Sequence, residues 1–235
     1  MHSCSPQNRR NNGVERRAFH SAGRQQHVRR DEEEPRLSTH LRELMRKMPH
    51  SVVVATTSTG GSGNPQFRGM TVSSFTTLTL TPAPIVTFNI RRPSRTLDAI
   101  RESRQFLIHI LSATDAGAAV AHNFTQGNSG DVFAGQKFAV WNCGSKCPLP
   151  LLASPGVMKV LRCKLREGNP EDGLVEVGDH VLVLADVESI IEPPPTKHRA
   201  ALEDRGLSYL DRAYREVGEV IEVVDPKEDE NLEQI

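Results

Sequence analysis

Several things are scarce in this chain of 235 residues. It has four cysteines, Cys4, Cys143, Cys147 and Cys163, too few and too scattered for a disulfide framework in a chain this long without a secretory signal. Cys143 and Cys147 form a C-x3-C pair, but no histidine or second cysteine pair stands near it at a metal-site spacing, so no metal is expected. Net charge is absent too: Lys plus Arg and Asp plus Glu both total 29, which argues against a nucleic-acid or membrane partner. No run approaches the roughly 18 apolar residues of a membrane span. There is one Trp, no 20–50-residue repeat, no G-x-G-x-x-G and no P-loop; the turn cluster Gly60-Gly61-Ser62-Gly63-Asn64-Pro65 lacks the Lys-Ser/Thr and the following helix a P-loop needs.

The charge that is present is unevenly placed. Arg9, Arg10, Arg16, Arg17, Arg24, Arg29 and Arg30 face one acid, Glu15, within the first 30 residues, whereas 225–235 is acid-rich and lacks apolar periodicity. Residues 1–35 are therefore expected to be a disordered basic segment of transit-peptide composition, cut near Phe19 or after Ser21. That reading directs the protein to the mitochondrial matrix; a cytoplasmic protein with a basic tail is the alternative. The expected domain spans 36–220, followed by an acidic tail at 221–235.

Within that domain, Leu37, Leu41, Leu44, Met45 and Met48 recur at helical spacing, with Ser38 or Thr39 as a cap and Pro49 as a stop. Ser51–Thr57 reads as a short buried strand. Strands at about 70–80 and 84–90 flank Thr81-Pro82-Ala83. A helix starting at Ser94 should turn Leu97 and Ile100 inward. Phe106–Leu111 is a strand, Ala116–Phe124 a helix, 125–156 a Gly- and Pro-rich loop, and Val157–Leu165 and His180–Ile190 are strands, with Cys163 in the core. The pattern is mainly β with short helices, and it favours a small β-barrel.

The chemistry concentrates in 68–94, RGMTVSSFTTLTLTPAPIVTFNIRRPS. Thr71, Ser73, Ser74, Thr76 and Thr77 supply short hydroxyls, Val72 and Phe75 an apolar wall, and Ser94 and Thr96 a helix start with Arg91 and Arg92 just upstream. Polar groups along one edge of a ring, an apolar wall, and cations with a helix N-terminus for a phosphate are what a flavin asks of a protein. The residues alone leave open another phosphate ligand, or ordinary strand and cap residues, which are common at any strand and helix start.

Gly69-x-Thr71-x-Ser73-Ser74-Phe75, the strand running to Pro82, Ser94-Arg95-Thr96, the helix ending at Phe124, Lys137-Phe138, Gly178-Asp179-His180 and Leu207-Ser208-Tyr209 with Tyr214 stand in one order. That ordered set resembles the flavin reductase-like family of FMN-binding split barrels, over about residues 36–218. The resemblance implies a split β-barrel, a homodimer, FMN (or FAD) as cofactor and NADH or NADPH as co-substrate. It further implies that Thr71, Ser73 and Ser74 touch the flavin ring, that Arg91, Ser94 and Thr96 hold its phosphate, and that His180, oriented by Asp179, lies where the nicotinamide delivers hydride. The implied activity is an NAD(P)H-dependent flavin reductase that supplies reduced flavin to an acceptor or monooxygenase; the alternative is a catalytically silent FMN-binding or assembly protein in mitochondria. The chain departs from the family at Pro49-His50-Ser51, at Ala185, and at 139–148, which reads as an insertion near a substrate entrance.

Overall fold

The computed structural model describes residues 36–61, 63–129, 131–142, 147–168, 170–193 and 205–220. The expected transit segment, the acidic tail, Cys4 and Cys143 lie outside these. Two units divide the chain, Met1–Met45 and Arg46–Ile235. In the first, residues 36–45 are helical (α1), so the chain is already helical at 36 and 37 and the helix does not start at Ser38 or Thr39; Leu37, Leu41 and Leu44 are exposed along it.

In the second unit the first strands are β1 (His50–Ser51), β2 (Val53–Thr59), β3 (Gln66–Val72), β4 (Thr76–Thr79) and β5 (Ile85–Arg91). Helix α2 (Arg95–Ser103), strand β6 (Gln105–Leu111) and helix α3 (Asp115–Asn123) follow. Then come β7 (Phe138–Trp141), β8 (Leu149–Leu152), β9 (Val157–Leu165), β10 (Leu174–Val177), β11 (His180–Ile191), β12 (Ser208–Leu210) and β13 (Ala213–Arg215). The fold is mainly β with short helices, as expected. No described helix is long and apolar enough to cross a membrane.

The main sheet runs β3-β2-β6-β9-β11-β5-β4, with β10 paired to β11. All its pairings are antiparallel. Its two terminal strands, β3 and β4, are neighbours in sequence, yet among the described residues they do not pair. The barrel expected from the sequence therefore stays open at that seam, and the single strand expected at 70–80 is two strands. The break falls at Ser73-Ser74-Phe75, whose hydrogen bonds go elsewhere: Asn89 N–H donates to Ser74 Oγ (3.0 Å) and Ser51 Oγ donates to the Phe75 carbonyl (2.6 Å).

Strand β2, with Val52 just before it, shows why the sheet has a core on both faces. Val52 and Val54 pack with Leu107, Leu111, Phe124, Phe133, Leu149 and Leu152, while Val53 and Ala55 join Val72, Phe88, Ile90, Leu97, Ile100 and Phe106. Alternation sends successive residues to opposite faces, so a strand covered on both sides reads as a continuous apolar run. Its last turnless stretch carries buried hydroxyls, and each has a partner, as burial demands: Thr56 Oγ1 donates to Pro150 O (2.7 Å), Thr57 Oγ1 to Gln105 O (2.8 Å) and Ser58 Oγ to Pro148 O (2.5 Å).

Two of these bonds reach β8 and the residue just before it, and a third link comes from His109, fully buried in β6. Its Nδ1 lies 3.2 Å from the Val54 carbonyl, and the Leu152 N–H donates to its Nε2 (3.1 Å). An acceptor on one nitrogen and a donor on the other require the neutral ring with its proton on Nδ1. The 125–156 region, expected as loop, thus contains the β7–β8 hairpin, held to the main sheet by side chains instead of a strand ladder. Phe138 packs edge-on against Phe67 and Phe133, with ring centroids 5.2 Å apart in both pairs, a favourable geometry for aromatic pairs.

Candidate functional site

Thr71 and Ser73 sit at the open seam and face a cleft of about 590 Å³. Met70 joins them from β3, and Val52 lies beneath. The second wall is the end of α3, with His122, Phe124 and Thr125. The third is the β12–β13 hairpin, with Tyr209, Arg212 and Tyr214. Thr71 ties the first wall to the second, its Oγ1 donating to the Ala121 carbonyl (2.5 Å).

Gly69 lets these walls meet. A Cβ there would stand 2.6 Å from Cε1 of Phe124, well inside carbon–carbon contact, so any larger residue would displace that ring, which lines the cleft. The glycine that opens the central motif and the phenylalanine that ends α3 are thus one packing pair. The two tyrosines face each other across the hairpin register, Tyr209↔Tyr214, with rings 5.5 Å apart and inclined at 65°. Burial, with the neighbouring Tyr209, raises the pKa of the Tyr214 phenol.

A second group gathers where β5 runs into α2. Ser94 is the N-cap of α2: its backbone is extended and its Oγ accepts from Leu97 N–H (3.2 Å). Leu97 and Ile100 are buried as their spacing predicts. Register places His180 opposite Arg91, and the Asp179 carboxylate accepts from both, His180 Nδ1 at 2.7 Å and Arg91 Nε at 3.0 Å. The hydrogen bond from His180, helped by the Arg91 charge, holds the Asp179 carboxyl below its usual range. These groups are exposed, so the ion pair contributes little stability; its effect is to turn the imidazole so that Nδ1 faces the carboxylate. Arg92 is engaged with Glu176 (2.8 Å) and the Gly178 carbonyl (2.7 Å).

The sequence-predicted residues therefore fall into three places. Thr71 and Ser73 line the cleft. Arg91, Arg92, Ser94, Asp179 and His180 cluster at the head of α2. Val72 and Thr96 are buried, Val72 among the apolar residues of the second core, Thr96 with its Oγ1 3.4 Å from Gly69 O; Phe75 packs half-buried on that core, and Ser74 is bonded to Asn89. Met70, His122, Phe124, Thr125 and Arg212 were not predicted for the site. The motif Leu207-Ser208-Tyr209 with Tyr214 was the available signal for the hairpin, and the Phe that ends α3 was the signal for Phe124.

The flavin reductase like domain family matches residues 45–218. The NADH:FMN oxidoreductase of Rhodococcus qingshengii is 29% identical over 158 residues, covering 64% of this chain and 71% of that protein. Among solved structures, the NADH:FAD oxidoreductase of Streptomyces globisporus, in complex with NAD and FAD fragments, superimposes with a TM-score of 0.58 at 26% identity, over 78% of this chain and 94% of that one. Nitrilotriacetate monooxygenase component B from Mycobacterium thermoresistibile shares the fold, with a TM-score of 0.61 at 23% identity, over 83% and 96%.

Proposed function

The chain belongs to the flavin reductase-like domain family, and from that premise we propose that it is an NAD(P)H-dependent flavin reductase. The observation that carries the reading is the cleft at the open seam, where the Thr71 and Ser73 hydroxyls lie beside Val52, Met70 and Phe124 and opposite two tyrosines. A hydroxyl-bearing edge against apolar and aromatic walls is the donor set a planar heteroaromatic ring requires, and a volume near 590 Å³ falls in the usual range for cofactor sites. The residues present fit a flavin.

FMN is the cofactor we assign, in line with the Rhodococcus relative; the Streptomyces neighbour makes FAD the second choice. When bound, the flavin supplies the hydride-accepting chemistry. Thr71 and Ser73 orient its ring edge, and Arg91 with the capped head of α2 holds its phosphate, where the helix dipole favours an anion. Asp179 fixes the His180 ring beside Arg91, so the imidazole presents Nε2 outward toward the nucleotide that donates hydride. No general base is needed, because hydride transfer moves no proton from carbon. The protein's contribution is alignment of the two rings and exclusion of water.

A homodimer, the commonest closed assembly, and delivery to the mitochondrial matrix by the Arg-rich first 35 residues complete the proposal; sedimentation and an import assay test them. For the activity itself, purified protein is mixed with FMN and either NADH or NADPH, and loss of the reduced-nicotinamide absorbance is followed. Steady oxidation that depends on both protein and flavin is the expected result. A yellow, flavin-loaded protein that oxidises neither nucleotide refutes the reading.

A further inference from the structure

The β12–β13 hairpin turns through Asp211 and Arg212, both at positive φ, 47° and 62°. Two-residue hairpin turns of this kind ordinarily take Asn or Gly, because side chains other than these crowd the left-handed region. An arginine is held there only when its surroundings over-determine the backbone, and here they do. Asp211 N–H donates to Arg46 O (2.9 Å), Ser208 Oγ donates to Arg215 O (2.8 Å), Tyr209 pairs with His50, and Val52 N–H donates to Leu207 O (3.0 Å).

The strained residue is also the one that lines the cleft. Arg91, Arg92, Arg101, Arg162, Arg166 and Arg205 each face a carboxylate within 4.0 Å or less. Arg212 makes no ion pair among the described residues, and no described residue lining its cleft is acidic. A permanent cation thus stands at the end of an aromatic wall, unmatched, on a turn pinned from three sides. Guanidinium groups in such positions bind phosphate oxygens in pairs.

We propose that Arg212 anchors a phosphate of the pyridine dinucleotide, and so sets the affinity for NADH or NADPH. The assignment rests on the flavin reductase reading. It is directed to the dinucleotide because FMN has a single phosphate, which the head of α2 takes, and neither Arg91, Ser94 nor Thr96 lines the cleft that Arg212 lines.

The test compares wild type with R212Q and R212K. In R212Q, KM for the preferred nucleotide should rise about tenfold or more, the loss expected for a charge-assisted pair at a partly exposed site, with kcat and the Kd for FMN within twofold. R212K, which keeps the charge but not the fork, should fall between. Raising the salt concentration should increase KM of the wild type more steeply than that of R212Q. Calorimetric titration of the FMN-loaded proteins with NAD+ reads the same contact without turnover, and melting curves show that the variants are folded. Equal KM and equal NAD+ affinity in all three proteins overturn the proposal, as does a fall in FMN affinity with KM unchanged. A wild type that oxidises neither nucleotide sinks the reductase reading; the NAD+ titration still decides Arg212, weaker binding in R212Q supporting it and equal binding, or none by the wild type, overturning it.

Discussion

Replacing His109 tests how the β7–β8 hairpin is held to the main sheet. The ring is fully buried between the Val54 carbonyl and the Leu152 N–H, and burial pushes its pKa down from the ordinary 6.5 to about 4. An unfolded chain takes a proton on this ring near pH 6.5, whereas the folded one resists until about pH 4. The unfolded state therefore holds more protons between these values, and stability is fully present above pH 6.5 and lost as pH falls toward 4. At about 1.4 kcal/mol per pH unit, the complete loss is roughly 3 kcal/mol, of which about 2 kcal/mol has gone by pH 5. That is a large share of the 5–15 kcal/mol typical of a domain. Urea unfolding of wild type and H109Q at pH 7 and pH 5 isolates the effect, because the other titrating groups are common to both. H109Q should start about 1–3 kcal/mol less stable, with one backbone partner left unpaired. The wild type should then lose about 2 kcal/mol more than H109Q on acidification. Equal losses in the two proteins would refute the neutral, doubly bonded histidine.

Two further substitutions probe the walls of the site. Gly69→Ala sets a Cβ against the Phe124 ring, so it should cost about 1–3 kcal/mol in urea unfolding and weaken FMN binding several-fold; an unchanged melting temperature would mean that the ring has room to yield. Ser94→Ala removes the cap of α2, a loss of about 1 kcal/mol. It should also loosen FMN about tenfold by fluorescence titration while leaving riboflavin, which lacks the phosphate, within twofold. Equal weakening of both ligands would place the phosphate elsewhere.

Much of this architecture was legible residue by residue. Ser94 as a cap with Leu97 and Ile100 turned inward follows from local chemistry, and local chemistry decided it. Strand β2 was readable because a segment buried on both faces has no polar alternation to mislead. The break at Ser73–Phe75 was not readable. Hydroxyl-rich residues continue happily in a strand, and what stops the ladder is a set of bonds to Ser51 and Asn89 supplied by other parts of the chain. The β7–β8 hairpin was hidden for a related reason: Pro148 and Pro150 read as punctuation, while the groups that dock this segment, Thr56 on Pro150, Ser58 on Pro148 and His109 on Leu152, lie 43 to 94 residues away. Of the residues the ordered motif named, Thr71 and Ser73 line the cleft, while alternation sends Val72 into the core. Arg212 escaped notice because an arginine in a polar turn carries no signal until its backbone conformation and its unmatched charge are seen.

The central claim is that this chain brings a reduced nicotinamide against a bound flavin. Anaerobic stopped-flow mixing of the FMN-loaded protein with NADH or NADPH, each with hydrogen or deuterium at the transferable position, measures that step alone. The account predicts that the yellow flavin band bleaches with at least one nucleotide, and more slowly with the deuterated form. A flavin that stays bound and oxidised through the full time course, with both nucleotides in excess, would contradict it.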